Sequence, residues 1–354
     1  MILPQTKPMH KRVYQKKDGR MLYLYGLKPH TLPALEEGDH TAQAQSHARW
    51  HPLRQEWVVF AASRQGRTFL PPKEYDPLAP SKPGGFPTEI PFEDFEIAVF
   101  QNRWPSLSPH AGEPPQGLVI PTRDAKGECE VVVFTPEHSG SLATLSPERR
   151  ELLVRVWTDR YQELYARPHI QYVMPFENRG EQMGVTLHHP HGQVYAYPWI
   201  PPILQKELEA FQKSPVLLKL LPHLGPYTVL EDAHTLACVP PYARYPYEVL
   251  LFPKRFCPGP WAFTEEETKS FAWFLGQLVQ KLDNLFQKPM PYIMALHAAP
   301  KGAEEVFHFH VEFYPALRTA DKLKYLAGTE IAAGTFAMDA LPEETAKTLR
   351  DVAV

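Results

Sequence analysis

Residues 187–193 read Leu187-His188-His189-Pro190-His191-Gly192-Gln193, and residues 306–312 read Val306-Phe307-His308-Phe309-His310-Val311-Glu312. A His-x-His pair thus recurs 119 residues on, from 189 to 308 and from 191 to 310. The signals upstream of each pair run in the same order. Before the first lie an apolar strand, Val131 to Phe134, a helix start at Ser146-Pro147 and a second strand, Ile170 to Phe176. Ser is a good N-cap and Pro a good first helical residue. Leu153, Val156, Trp157, Tyr161 and Leu164 follow at helical spacing. Before the second pair lie a strand, Tyr247 to Phe252, the capping box Thr264-x-x-Glu267 and the stripe Phe271, Phe274, Leu275, Leu278, Leu282, Leu285. A strand from Pro291 to Leu296 completes it. The repeat predicts an α+β fold, a duplicated unit of mostly antiparallel sheet with flanking helices, divided into 1–205 and 206–354.

The bulk numbers exclude more than they assign. The chain has 354 residues, 44% hydrophobic and 22% charged, which reads as an ordinary globular protein. A net charge of −3 gives no electrostatic footprint for nucleic acid. No apolar run reaches the length of a membrane span, and the polar, basic stretch from Met1 to Lys17 shows no secretory signal. Cys129, Cys238 and Cys257 form neither a disulfide framework nor a C-x-x-C pair, so the reading is a reducing, cytoplasmic compartment.

The first pair carries the chemistry. Residues two apart in a strand face the same way, so the pattern predicts that His189 and His191 project together. A neutral imidazole near pH 7 is a good nucleophile, and attack on a nucleotide α-phosphorus gives a nucleotidyl-histidine. Gly192 allows close approach to a phosphate, and Gln193 can donate its amide as charge develops on oxygen.

From Phe176-Glu177-Asn178-Arg179-Gly180 through Gly184-Val185-Thr186-Leu187-His188-His189-Pro190-His191-Gly192-Gln193, the sequence resembles the galactose-1-phosphate uridylyltransferase family of the histidine-triad superfamily. Trp57-Val58-Val59, Ser63-Arg64-Gln65-Gly66-Arg67, Val99-Phe100-Gln101-Asn102, Thr135-Pro136-Glu137-His138-Ser139 and Phe313-Tyr314-Pro315 extend the match over nearly the whole chain. The resemblance implies a duplicated histidine-triad-like unit that transfers UMP between UDP-glucose and galactose 1-phosphate by a ping-pong route. It implies that His191 takes the uridylyl group, with Gln193 on its phosphate and Asn178 and Thr186 nearby. Arg64 and Arg67 match phosphate-contacting arginines borrowed from a neighbouring subunit, hence an expected homodimer. Phe100 and Asn102 match nucleoside-contacting positions, and Lys324, in Lys322-Leu323-Lys324-Tyr325, matches a phosphate contact.

The same resemblance implies two metal sites. At the first, Ala79 and Lys82 stand where two zinc-binding cysteines belong, leaving only His138 and His189. That site is expected to be lost, with polar contacts in place of zinc. At the second, Glu207, His297, His308 and His310 make a carboxylate-and-imidazole set suited to zinc or iron. Alignment on Phe313-Tyr314-Pro315 offers Glu312 in place of His308, and both choices stay open. Three rivals remain: a phosphorylase selecting adenine, a hydrolase, and a non-catalytic nucleotide sensor. Gln193 stands where superfamily hydrolases resemble one another in carrying a third histidine, which weighs against hydrolysis.

Overall fold

In the computed structural model, residues 8–30, 45–66 and 75–354 are described. Strands β1 (His10–Gln15), β2 (Met21–Gly26), β3 (Ser46–His51), β4 (Glu56–Ala61), β5 (Ile97–Gln101), β6 (Thr122–Asp124) and β7 (Glu128–Val133) precede helix α1 (Pro147–Tyr165). Then come β8 (Tyr172–Arg179), β9 (His191–Tyr197), α2 (Pro202–Lys213), α3 (Val216–Leu220), β10 (Thr228–Glu231), β11 (Thr235–Cys238) and β12 (Val249–Pro253). Helix α4 (Glu265–Leu285), β13 (Tyr292–His297), β14 (His310–Pro315) and α5 (Pro342–Asp351) lead toward the C-terminus.

Eleven strands form one antiparallel sheet in the order β1-β2-β5-β7-β9-β8-β13-β14-β12-β11-β10. The order is palindromic about the β8–β13 pair. β7, β9 and β8 in the first half correspond to β12, β14 and β13 in the second. The duplicated α+β architecture expected from the repeat is therefore the observed one. β3, β4 and β6 make a separate small sheet.

The helices form where the caps place them. Ser146 Oγ accepts from Arg149 N at 3.2 Å, and Thr264 and Glu267 close their capping box in both directions. The apolar stripes of α1 and α4 share one core, in which Trp157, Tyr161, Phe271 and Phe274 are almost wholly buried. Tyr161 and Tyr165 of α1 donate their hydroxyl protons to the carbonyls of Leu296 and Ala299, which ties the first helix to the second unit. Arg160 and Glu130 pair bidentately with no side-chain exposure, pinning α1 on β7. Removing one partner of such a pair strands a buried charge and costs about 3–5 kcal/mol.

One local expectation needs correction. Pairing in β9 starts at His191, opposite Val133, and His189 lies outside the strand. Pro190 has no N–H to extend the ladder; its carbonyl instead accepts from Phe134 N at 3.0 Å. In the second copy the strand also starts late, at His310, because Phe309 N donates to the Cys257 carbonyl. The two histidines of each pair therefore do not share a strand face.

The seam between the halves contains a protonatable group. Glu177 of β8 is fully enclosed, opposite Met294 of β13, and accepts from Tyr292 Oη at 2.8 Å. Burial pushes its carboxyl up to about 7, against the opposing pull of the Tyr292 hydrogen bond and Arg179. The folded state thus holds a proton that the unfolded chain has already released. The stability this contributes is complete below the ordinary carboxyl range and is lost as pH rises through 7. In Glu177→Gln, chemical-denaturation stability should lose this fall between about pH 5 and 8. Parallel curves for the two proteins would contradict it.

Candidate active site and metal-ligand clusters

A cleft of about 200 Å³ opens at the head of β9, lined by Arg64, Phe176, Asn178, Thr186, His191, Gly192, Gln193 and Tyr195, together with Gly184 and Val185. The antiparallel pairing makes this convergence possible. Gln193 is registered opposite Phe176 of β8, and Asn178 sits two residues further along the same strand. Thr186 belongs to the loop that returns to β9. Five residues singled out from sequence, Arg64, Asn178, Thr186, His191 and Gln193, thus line one cavity.

The nucleophile candidate has a fixed tautomer. His191 Nδ1 donates to the His189 carbonyl at 2.7 Å, which leaves the lone pair on Nε2. Burial pushes this imidazole below its ordinary pKa, although the bond to His189 pulls the other way. The ring is therefore neutral, and able to attack, at neutral pH.

Beneath it, His189 is clamped at both ring nitrogens. Nε2 meets the Thr135 carbonyl at 2.7 Å, and Nδ1 meets Asp76 Oδ2 at 2.6 Å. His138 Nδ1 reaches the same Oδ2 at 2.7 Å. Asp76 Oδ1 accepts from Leu78 N at 3.0 Å, which orients the carboxylate. Burial raises the Asp76 carboxyl, but its hydrogen bonds with His189 and His138 outweigh that and hold it at about 2. Asp76 was not among the residues singled out from sequence. The available signal was an Asp-Pro turn three residues before Ala79.

The second copy repeats the wiring. His310 Nδ1 donates to the His308 carbonyl at 2.9 Å, and His308 Nε2 donates to the Pro253 carbonyl at 2.9 Å. Glu207, His297, His310 and Glu312 bring one ligand atom each within 4.8 Å of one another. His308 is not in this group; Glu312 takes the place that the internal repeat assigned to it. Two residues past His310, Glu312 returns to the strand face that His310 uses, whereas His308 is turned back to the β12 end. His297 Nδ1 lies 3.0 Å from Glu207 Oε2, and His310 Nε2 lies 3.5 Å from it. Burial lowers the His297 pKa, but the Glu207 and Glu312 carboxylates overcome this and raise it to about 9. Among the described residues Glu312 Oε2 is buried with no hydrogen-bond partner, the Arg244 guanidinium lying 3.6 Å away, and two carboxylates facing two imidazoles suit a divalent cation.

Three sequence-derived site residues are not among those lining the cleft. Phe100 is 2% exposed and packs in the core with Leu22, Leu24, Ile90, Phe92 and Val133. Asn102 caps its own turn, accepting from Trp104 N at 2.8 Å. Lys324 Nζ is held by Glu330 at 3.1 Å and by the Ala337 carbonyl at 2.9 Å. Arg64 lines the cleft of its own chain, with Nη1 donating to the Trp104 carbonyl at 2.9 Å. Arg67 lies outside the described residues.

Two family models match the chain: galactose-1-phosphate uridyl transferase, N-terminal domain, over residues 35–201, and its C-terminal domain over residues 225–354. Fold and matches together define a uridyl-transferase class of protein. The galactose-1-phosphate uridylyltransferase of Thermotoga maritima is 38% identical over 321 residues, covering 86% of this chain and 98% of its own. That of Streptomyces lividans is 34% identical, with 98% of each covered. The chain belongs to the galactose-1-phosphate uridylyltransferase family. A solved uridylyltransferase structure superposes with a TM-score of 0.78 at 28% identity, covering 86% of this chain and 98% of that one. An Arabidopsis thaliana ADP-glucose phosphorylase shares the fold at 20% identity and a TM-score of 0.67, covering 87% and 99%.

Gly192 is required by packing. A Cβ there would lie 2.8 Å from the Phe176 carbonyl oxygen and 3.0 Å from Phe134 Cζ. Gly192→Ala should therefore push β9 off β8 and cost about 1–3 kcal/mol, measurable by thermal denaturation. Unchanged stability would show that the strands yield freely.

Proposed function

We infer that the chain transfers UMP from UDP-glucose to galactose 1-phosphate through a covalent uridylyl-histidine on His191. The observation that carries this reading is the His191 ring, with Nδ1 tied to the His189 carbonyl and its lone pair on Nε2, in a polar cleft beside Gln193 and Arg64. In the first half-reaction an Nε2–phosphorus bond forms at the α-phosphate and the phosphorus–oxygen bond to glucose 1-phosphate breaks. The leaving group is a phosphate and needs no strong general acid. In the second, a phosphate oxygen of galactose 1-phosphate attacks, UDP-galactose forms and Nε2 is released. Gln193 and Arg64 face the phosphorus-bound oxygens and offset their charge. Asn178 and Thr186 orient the nucleotide. A homodimer belongs to the same reading. No described helix is long and apolar enough to cross a membrane.

The metal reading is asymmetric. The first zinc site is lost. At the second, Glu207, His297, His310 and Glu312 hold zinc or iron, a structural ion that crosslinks α2 to β13 and β14. Glu312→Ala should lose one metal equivalent per chain by elemental analysis, whereas His308→Gln keeps it. The reverse result would return the ligand role to His308.

Incubation with UDP-glucose and galactose 1-phosphate should give UDP-galactose and glucose 1-phosphate, faster than ADP-glucose reacts with inorganic phosphate. His191→Gly should abolish labelled uridylyl-enzyme, and Gln193→Ala should lower kcat on the order of 10²-fold. A fully active His191→Gly protein, or preference for ADP-glucose and phosphate, would overturn the reading.

A further inference from the structure

The cluster below the nucleophile, Asp76, His138 and His189, lacks two of the four donors of the zinc site that the family resemblance implies. Ala79 offers no donor, Lys82 is exposed, and the Asp76 carboxylate fills the space between the two histidines. Asp76 Oδ2 lies 2.7 Å from His138 Nδ1 and 2.6 Å from His189 Nδ1, which is hydrogen-bond spacing. The Thr135 carbonyl can only accept, so the His189 ring donates at Nε2 and turns Nδ1 toward the Asp76 carboxylate.

We propose that Asp76 replaces the metal as the anchor of the nucleophile: it is a positioning residue that fixes His189, whose main-chain carbonyl in turn holds the Nδ1 proton of His191. Three contacts make the chain of support continuous. Leu78 N orients Asp76 through Oδ1, Asp76 Oδ2 takes the His189 Nδ1 proton, and the His189 carbonyl takes the His191 Nδ1 proton. A carboxylate–imidazole bond is charge-assisted and stronger than a neutral one, which suits it to hold a ring otherwise held by a coordinate bond. His189 is 2% exposed, so water offers it little alternative partner. His138 is 62% exposed in its side chain and braces the carboxylate from the outside. The second copy differs: His308 keeps the Nε2 bond to a carbonyl, but among the described residues no carboxylate is grouped with it. The anchor therefore belongs to the copy with the Gly-Gln motif.

Its role rests on the uridylyl-transfer reading, but its geometry can be tested without turnover. Full-length wild type, Asp76→Ala and Asp76→Asn are compared by elemental analysis, by ¹⁵N NMR of the His191 ring (assigned by its loss in His191→Gly), and by the burst of uridylyl-enzyme formed from UDP-glucose. The expected metal content is the same in all three. The His191 ring is expected to carry its proton at Nδ1 in the wild type and to become a tautomer mixture in Asp76→Ala. The burst rate should fall on the order of 10- to 100-fold in Asp76→Ala, with UDP-glucose affinity changed far less. Asp76→Asn, which keeps an acceptor oxygen, should fall in between and covers the case in which the alanine variant fails to fold. A metal equivalent lost on Asp76→Asn would make Asp76 a ligand and overturn the proposal. An unchanged His191 tautomer in Asp76→Ala would also overturn it. A wild type that gives no burst would instead sink the transfer reading, leaving the tautomer and metal content to decide the role of Asp76.

Discussion

The 2.7 Å hydrogen bond from His191 Nδ1 to the His189 carbonyl is the contact on which the site depends. It decides which ring nitrogen carries the lone pair, and so which atom can reach phosphorus. A backbone carbonyl can play this part only if its residue is immobile. Pro190 fixes the chain between the two histidines, the Thr135 carbonyl and Asp76 clamp the His189 ring, and the ladder to β7 and β8 carries His191 into the cleft.

The same bond occurs in the second unit, from His310 to the His308 carbonyl, and there it serves another end. His310 Nε2 is turned toward Glu207, and Glu312 follows two residues later on the same face. A duplicated strand start that sets one nitrogen free has thus diverged into a cleft residue in one copy and a ligand cluster in the other. The palindromic sheet brings the copies together at β8 and β13, where Arg179 of the first half pairs bidentately with Asp283 of α4.

Much of this was legible in the chain itself. The repeat offset, the Ser146 and Thr264 caps and the two apolar stripes are local signals, and they located both helices and their flanking strands. The clustering of Asn178, Thr186 and Gln193 around His191 followed from the resemblance, because the motif fixes their order along adjoining strands. What escaped depended on distant contacts. Phe100 sits in β5, and its burial comes from the face it shares with Leu78, Ile90 and Phe92, which lie outside that strand. The choice of Glu312 over His308 turned on one hydrogen bond, from Phe309 to the Cys257 carbonyl, which delays the strand. Asp76 meets His138 across 62 residues and His189 across 113, and no spacing rule joins positions so far apart.

The central claim is that His191 Nε2 receives the nucleotidyl group. The most direct test is to quench the wild-type protein after brief exposure to UDP-glucose alone, without an acceptor sugar phosphate, and to map the adduct by tandem mass spectrometry and ³¹P–¹⁵N NMR. The account predicts a uridylyl group bonded to Nε2 of His191 and no other residue, with an equal amount of glucose 1-phosphate released. An adduct on another side chain, or sugar-nucleotide product formed with no covalent enzyme at all, would contradict it.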